Sequence, residues 1–392
     1  MAKPGTNFSL SRRGFLRLAA ALGGAAAAAS FLEGCSKAGI DQETLLSPTG
    51  AAEVPTLARG VAPAATSPPA GPKPTATDGV PAATPAAPIK DGKARLAFVK
   101  TNDRAEGVRK AIDLLGINPV AGKRVFLKPN FNSSDPAPGS THPDVLSALV
   151  TALKGLGAQK ITVGDRSGMG DTRQVMEQTG VFKLAEQFGF EALVFDELPP
   201  EDWVMIQPPG SHWKAGFPFA RACLEAEALV QTCCLKTHRY GGHFTLSLKN
   251  SVGMVAKRHP QVDHDLMHEL HSSAHQRRMI AEINAAYTPA LIVLDGVAAF
   301  ISGGPDVGER ASPEVIVAGT DRVALDAVGV ALLRHSGCKT EAGRGKIFAQ
   351  EQIARAVELG LGVDHPGQIE FLTGDPDSAV YSERIKAILL AG

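Results

Sequence analysis

The chain has 392 residues, 44% of them hydrophobic, so it can bury one large core or the cores of two ordinary domains. Forty basic and forty acidic residues cancel, so no overall positive charge is present to attract nucleic acid, and we expect no nucleic-acid partner. The five cysteines include no C-x-x-C pair, which excludes a zinc ribbon or a ferredoxin-type cluster held by this chain, and they are too few for a disulfide framework.

The first 35 residues are typical of a twin-arginine export signal. Arg12 and Arg13 precede Phe and Leu and then an alanine-rich stretch that is too short and too weakly apolar to favour a membrane span. The stretch ends in "FLEGC", which resembles a lipoprotein cleavage site with Cys35 as the lipidated residue. Ordinary cleavage or an uncleaved anchor is the alternative. We predict a protein of the periplasm or the outer face of the membrane, touching the membrane only through its signal or lipid.

Residues 36–93 are dominated by Ala, Pro, Thr, Ser and Gly. This composition buries too little apolar surface to offset the entropy lost on ordering, and its prolines stiffen the chain. We predict a disordered linker that holds a folded domain, residues 94–392, away from a membrane.

Within the folded domain, short runs rich in Val, Ile and Leu alternate with helical patterns. The runs include "ARLAFVK", "RVFLK", "KITVGD", "EALVQTCCLK", "ALIVLDG" and "EVIVAGTD". Alternation of this kind predicts an α/β fold, with a mainly parallel sheet and crossover helices, arranged as one domain or as two lobes.

Polar residues follow nearly every predicted strand. The clusters are Lys128 to Asn130, Gly164 to Gly168, Lys236 to His238, Asp295 with Gly296, and Thr320 with Asp321. Ligands of open parallel sheets bind outside the carboxyl ends of the strands. The five clusters therefore predict one shared cleft.

Three lysines are candidates for binding the phosphate or carboxylate of an anionic small molecule. Lys128 and Lys236 end strands, and Lys249 follows a glycine-containing turn; Asn130 and Asn250 lie beside them as further candidates. The alternative is that these lysines extend from the strand ends into water.

Asp165, His238 and Asp295 are the catalytic candidates, since carboxylates and imidazoles at strand ends can move protons or bind metal. The glycine-rich segment after Asp165 could approach an anion, or it could be a turn in which Asp171 or Thr172 caps the next helix. Asp321 is predicted to cap a helix.

Histidines are concentrated after residue 238. His264, His268, His271 and His275 are spaced so that one α-helix would place them within about 60° of each other. We predict His264 and His268 as ligands of a divalent metal ion, with further ligands from elsewhere. A solvated or hydrogen-bonding helix face is the alternative.

Cys233 and Cys234 are neighbours in a strand, so their side chains point to opposite faces. One is expected in the core, whereas the other could face the cleft as a nucleophile or a soft metal ligand.

Several segments together resemble the domain of unknown function 362 family. They include "VFLKPNF", "ITVGDRSG", "CLKTHRYGGHFTLSLKNSVG", "LIVLDGVAAFISGGPDVGE" and "VIVAGTDRVALDAVG", and the resemblance runs from about Arg95 to about Gly374. It implies that the family's recurrent polar positions are Lys128, Asn130, Asp165, Lys236, His238, Lys249, Asn250, Asp295 and Asp326. Many members carry a ferredoxin-like module, but this chain lacks its cysteines, so any iron-sulfur or redox group would come from a partner protein.

The sequence favours a cell-envelope enzyme with a metal-assisted or anion-binding site at the carboxyl edge of the sheet. A tethered binding protein for an anionic small molecule or a metal is the alternative, since it needs the lysines but no general base. A purely structural envelope protein is the third possibility.

Overall fold

A computed structural model describes residues 92–392. The predicted signal peptide, Cys35 and nearly all of the predicted linker lie outside the described residues, so they stay predictions. Among residues 92–392, no helix has the length and apolar character needed to cross a membrane.

Twelve strands are described. They are β1 (Ala94–Lys100), β2 (Arg124–Lys128), β3 (Lys160–Asp165), β4 (Glu191–Val194), β5 (Trp203–Ile206), β6 (Phe217–Ala220), β7 (Ala228–His238), β8 (His243–Thr245), β9 (Pro289–Gly303), β10 (Gly308–Ala311), β11 (Val315–Gly319) and β12 (Ile369–Leu372).

Eleven α-helices are described between and after these strands. They are α1 (Arg104–Leu115), α2 (Pro143–Gly155), α3 (Thr172–Gln178), α4 (Val181–Phe188), α5 (Arg221–Leu224), α6 (Ser247–Asn250), α7 (Leu266–Ser272), α8 (Gln276–Ile283), α9 (Arg322–His335), α10 (Glu351–Glu358) and α11 (Pro376–Ala391).

Ten strands form one sheet in the order β12-β1-β11-β9-β7-β2-β3-β4, with β10 added to β9 and β8 to β7. The block from β9 to β4 is parallel throughout, as is the β1–β12 pair, whereas β11 runs antiparallel to both of its neighbours. Helices connect the parallel strands. The prediction of an α/β fold with a mainly parallel sheet and crossover helices is confirmed.

Alternating residues of the strands supply the cores on the two faces of the sheet. In β1, Ala97 and Val99 pack in one apolar cluster with Val108 of α1 and Leu149 of α2, whereas Phe98 packs in another with Val328 of α9. Asp321 caps α9, because its side chain accepts from the backbone N–H groups of residues 323 and 324, as predicted.

Strand length decides which polar residues reach the carboxyl edge. Lys128 ends β2 opposite Gln231, the fourth residue of β7, so β7 and its neighbour β9 run on well beyond the end of β2. In this extension Cys234 is opposite Asp295. Asp295 therefore lies inside a strand of 15 residues, and the prediction that a strand ends there is wrong.

The histidine-rich stretch is not one helix, so the predicted stripe of four histidines is wrong. Asp265 caps the start of α7, which leaves His264 outside it, and Ser273 is extended, which ends α7 before His275. His275 instead precedes α8. Two short capped helices replace the single long one.

Candidate active site

A cavity of about 110 Å³ opens at the carboxyl edge of β2, β3 and β7. This volume is enough for several water molecules, and hence for a small organic acid. The polar residues that line it are Lys128, Asn130, Asn132, Asp165, Arg166, His238, Tyr240, Thr245, Lys249, Asn250 and His271. Six of the eight residues predicted to be catalytic or substrate-binding are thus brought together.

Lys128 and Asp165 form a buried ion pair at the floor of this cavity. Lys128 Nζ lies 2.7 Å from Asp165 Oδ1, and neither side chain is more than 3% exposed. The second oxygen, Asp165 Oδ2, accepts a 2.7 Å hydrogen bond from the backbone N–H of Phe131. Burial lowers the pKa of Lys128 and raises the pKa of Asp165, and the attraction between the two charges opposes both shifts.

Gly253 closes tightly over this ion pair. A Cβ atom on Gly253 would collide with Asp165 Oδ1 and would stand 2.8 Å from Lys128 Nζ. Only a glycine allows the backbone to approach so closely. The glycine of the "KNSVG" motif therefore has a packing role at the site.

Asn250 connects the ion pair to the rest of the cavity. Its Oδ1 accepts from Lys128 Nζ and from Asn130 Nδ2, both at 3.2 Å, and its Nδ2 donates to the backbone carbonyl of Thr232 at 3.1 Å. With Asp165 and the Pro129 carbonyl as its other acceptors, Lys128 uses all three of its protons within the protein. Lys128 and Asn250 are therefore structural parts of the cavity floor.

Lys249 is the cation of this site that remains available. It lies on α6, is 8% exposed and lines the cavity. Among residues 92–392 its ammonium has no hydrogen-bond or ion-pair partner. Burial, with the nearby charges of Lys236 and Arg166, lowers the pKa of Lys249 to about 7.

The single turn that carries Lys249 is fixed by Asp326 of α9. The Asp326 carboxyl accepts from the backbone N–H groups of Ser247 at 2.8 Å and Leu248 at 3.1 Å, the first two residues of α6. Burial raises the pKa of Asp326 to about 8. Asp326 lies behind the cavity and positions Lys249 without reaching a ligand itself.

Several buried polar atoms of the cavity wall have no hydrogen-bond partner in the described part of the chain. They are Asn130 Oδ1, Asn132 Nδ2, His238 Nδ1 and Thr245 Oγ1. Buried donors and acceptors are rarely left unpaired unless a ligand or solvent satisfies them. Both donors and acceptors are present, which suits a polar small molecule.

His238 shares a wall with Lys249. A Cβ atom on Gly242 would stand 2.7 Å from Lys249 Cε and 3.0 Å from His238 Nδ1, so both side chains pack against this one glycine. Burial and the surrounding cations lower the pKa of His238 well below its usual value. The imidazole is therefore neutral at physiological pH and can exchange a proton at Nδ1.

Arg166, Asn132 and Thr245 also line the cavity, but no role was predicted for their side chains, whereas His271, which lines it too, belonged to the predicted stripe of histidines. Arg166 is 2% exposed and donates to the backbone carbonyls of Val252 and Val255, which ties the glycine-rich segment to the chain after α6. The "GDRSG" segment was noted in the sequence for its glycines, and its arginine was the available signal. Asn132 and Thr245 carry no sequence signal, because only the folded chain brings them to the cavity.

Two of the predicted residues do not line the cavity. Lys236 Nζ donates to the backbone carbonyls of Gly139 and, at 3.0 Å, Pro305, so it joins two loops, and burial lowers its pKa to about 8. Asp295 pairs with Arg104 Nε at 2.8 Å in the strand extension. Lys236 and Asp295 therefore lie outside this cavity, and their predicted roles in substrate binding and catalysis stay predictions.

Neither cysteine of the Cys233–Cys234 pair lines the cavity. Cys233 packs in an apolar core cluster, as expected for one of the two. Cys234 is 1% exposed, and burial raises its pKa to about 11. The thiol is protonated and shielded, so it does not act as the nucleophile considered from the sequence.

The predicted metal ligands are also apart from the cavity. His264 Nε2 is 2.5 Å from the buried carboxylate of Glu269, and His268 is exposed on α7. Within residues 92–392, no three His, Cys, Asp or Glu side chains are grouped so that they could hold a metal ion. His264 and His268 are not arranged as a pair of ligands.

Residues 125–331, more than half of the chain, match the model of a family described as Domain of unknown function (DUF362). The chain belongs to this family. The matched region begins before Lys128 and ends after Asp326, so it includes every cavity residue named above.

Two known proteins are similar to this DUF362 member. The thylakoid-associated protein sll1697 of Synechocystis sp. is 24% identical over 254 residues, which cover 63% of this chain and 74% of the relative. The lactate racemase apoprotein of Thermoanaerobacterium thermosaccharolyticum has a TM-score of 0.33 and 14% identity, covering 75% of this chain and 86% of that one.

Proposed function

We propose that this DUF362 protein is an enzyme that binds a small carboxylate or phosphate in the cavity and acts on it by proton transfer. The observation that carries the proposal is Lys249, a largely buried residue that lines the cavity, whose ammonium lacks a partner in the described chain and which packs beside the unpartnered Nδ1 of His238.

The charges of the cavity support an anionic ligand. Lys128, Arg166 and Lys249 line it, whereas Asp165 is the one carboxylate among the lining residues of the described chain. A buried cation without a partner is costly, because its desolvation is not offset by an opposite charge. An anion beside Lys249 would remove this cost, and the unpaired Asn132 Nδ2 and Thr245 Oγ1 offer it hydrogen bonds.

The titration properties of the cavity support proton transfer. A general acid or base works best when its pKa is near the operating pH, and the pKa of Lys249 is lowered to about 7. His238 is neutral and can relay a proton through Nδ1. In this account Asp165 positions Lys128 and the chain after β2, and is not itself the catalytic base.

Binding is tested first, with inorganic phosphate, acetate and glycolate as probes and glycerol as the neutral control. The wild type should bind the anions saturably. Affinity should fall roughly 10- to 100-fold in Lys249→Met, because hydrogen bonds to charged groups contribute about 1.5–3 kcal/mol, and should be unchanged in Lys183→Met. Lys183 is an exposed lysine of α4 and serves as the matched control. Equal affinities of the three proteins would refute the anion site.

Turnover is then tested by incubating phosphate monoesters and 2-hydroxy acids with the protein in D₂O and following them by proton NMR. If the wild type causes loss of a C–H signal or release of a product, and the His238→Ala variant does neither, the protein is an enzyme that uses His238. Saturable binding with no chemical change across the set would instead identify the tethered binding protein.

The location in the cell envelope is also part of this proposal. It is supported by the twin-arginine pattern and by Cys35, which both precede the described residues. Cell fractionation of the full chain, with Arg12→Lys/Arg13→Lys and Cys35→Ala variants, tests it. Cytoplasmic retention of the first variant and release of the second from the membrane fraction are expected.

A further inference from the structure

The geometry points to a specific chemistry for the same site: we propose that Lys249 is a nucleophile that forms an imine with the carbonyl group of a small 2-oxo acid. This inference rests on the proposed anion site, because the carboxylate of the acid would bind the other polar groups of that cavity while its carbonyl carbon faces the amine of Lys249.

The position of Lys249 is that of a reactive amine and not of a structural cation. The structural lysines in and near this cavity have acceptors within the protein: Lys128 in the cavity has three, and Lys236, which does not line it, has two backbone carbonyls. Lys249 has neither an acceptor nor an acid partner in the described chain, although it is only 8% exposed. Its backbone is held from behind by Asp326, so the amine is presented to the cavity by a fixed turn.

The free amine needed for attack is available near neutral pH. Desolvation and the like charges of Lys236 and Arg166 lower the pKa of Lys249 to about 7. Lysines activated in this way, by an apolar environment or an adjacent cation, are the ones that form Schiff bases with carbonyl substrates.

The reaction balances with residues of the site alone. The lone pair of Lys249 Nζ attacks the carbonyl carbon, a C–N bond forms, and the electrons of the C=O π bond move to the oxygen. His238 Nδ1, on the same wall, can carry the two N–H protons to this oxygen in turn, the first to form the hydroxyl and the second to release it as water. The C–O bond breaks as C=N forms, one water is released, and no oxidant or reductant is consumed.

The rest of the cavity fits the acid group of such a substrate. Asn132 Nδ2 is a buried donor without a partner in residues 92–392, and Thr245 Oγ1 is a second polar atom without one. Arg166 adds positive charge from the cavity wall. A neutral aldehyde or ketone would leave these groups unused, which favours a 2-oxo acid over a simple carbonyl compound.

Reductive trapping tests the proposal on the intact protein. Wild type is incubated at pH 7.5 with pyruvate or glyoxylate and sodium borohydride, digested, and the modified lysines are located by mass spectrometry. Lactate, which has no carbonyl group to attack, and acetone, which has no carboxylate, are the control compounds. The Lys249→Arg and Lys249→Gln variants, checked for folding by circular dichroism, are compared with the exposed-site control Lys183→Met.

We expect the adduct with pyruvate or glyoxylate on Lys249, in at least tenfold excess over any other lysine, with little from acetone and none from lactate. Inorganic phosphate should compete with its formation. Because the adduct is mapped in the wild type, the test does not depend on the folding of any variant.

Two outcomes would overturn the inference, and they differ in whether the anion site is refuted as well. If phosphate and acetate bind in a Lys249-dependent way but no adduct forms on Lys249, imine formation is wrong while the anion site stands. If no anion binds and adducts form only on exposed lysines, the proposed function fails as well.

Discussion

The carboxyl group of Asp326 accepts a 2.8 Å hydrogen bond from the backbone N–H of Ser247, the first residue of the turn that carries Lys249. A residue of α9 on one face of the sheet thereby fixes Lys249, whose ammonium has no partner among residues 92–392. The contact explains why Asp326 is fully buried although it does not line the cavity.

Replacing Asp326 by Ala should lower the free energy of unfolding by roughly 2–6 kcal/mol, because two buried backbone N–H groups lose their acceptor at about 1–3 kcal/mol each. Asp326→Asn keeps one amide oxygen and should cost less. Urea denaturation measures both. A loss below about 0.5 kcal/mol in the alanine variant would show that α6 does not depend on this contact.

Gly253→Ala should separate the ion pair of Lys128 and Asp165, since the added Cβ atom collides with it. Disrupting a buried pair costs about 3–5 kcal/mol, so a large drop in the urea midpoint is expected. Gly155→Ala, at the exposed end of α2 where a Cβ meets nothing within 4 Å, is the control. It should be neutral or stabilise by up to about 1 kcal/mol. Similar midpoints for the two variants would contradict this account of Gly253.

Lys249 should make stability depend on pH. Its pKa is lowered from 10.5 to about 7 on folding, so between these values the unfolded chain holds a proton that the folded chain has lost. Stability must then rise with pH across this window and be lowest below pH 7. Lys249→Met should be more stable than wild type at pH 7, by roughly 3–5 kcal/mol, and this difference should shrink toward pH 10. A constant difference from pH 6 to pH 10 would contradict the lowered pKa.

Thr245→Val should lower the affinity for phosphate without lowering the stability of the free protein. The Thr245 hydroxyl is buried without a partner in the described chain, so its removal should leave the free protein as stable or about 1 kcal/mol more stable. If the hydroxyl contacts the ligand, affinity for inorganic phosphate should fall about tenfold. Thermal unfolding with and without phosphate measures both quantities. Destabilisation without loss of affinity would place the hydroxyl in the core and not in the site.

Much of the cavity could be predicted from the sequence because parallel strands bring their carboxyl ends to one edge. Lys128, Asp165 and His238 each end a strand, and all three line the cavity. Asp295 was misplaced because β9 continues for eight residues beyond it, and the glycine after it does not end the strand. A local turn signal does not reveal that pairing with the neighbouring strand β7 continues beyond Asp295.

The arrangement of the histidines could not be predicted from the sequence. A helical spacing of 264, 268, 271 and 275 is compatible with one helix, but Asp265 caps a new helix and Ser273 ends it. Side-chain capping of this kind depends on the folded backbone. Which lysine has partners was likewise beyond the sequence, because only the fold brings the backbone carbonyls of Gly139 and Pro305 to Lys236 and none to Lys249 among the described residues.

Protonated Lys249 is expected to bind an anion in the cavity. Isothermal titration of inorganic phosphate into wild type, Lys249→Met and Lys183→Met, at several pH values between 6 and 9 and in buffers of different ionisation enthalpy, tests it most directly. A bound anion should raise the pKa of Lys249. Binding near pH 8 should therefore be accompanied by proton uptake, and the affinity for phosphate should fall as the pH rises. Both effects should vanish in Lys249→Met and persist in Lys183→Met. Phosphate binding of equal strength in all three proteins, without proton uptake assigned to Lys249, would contradict the account.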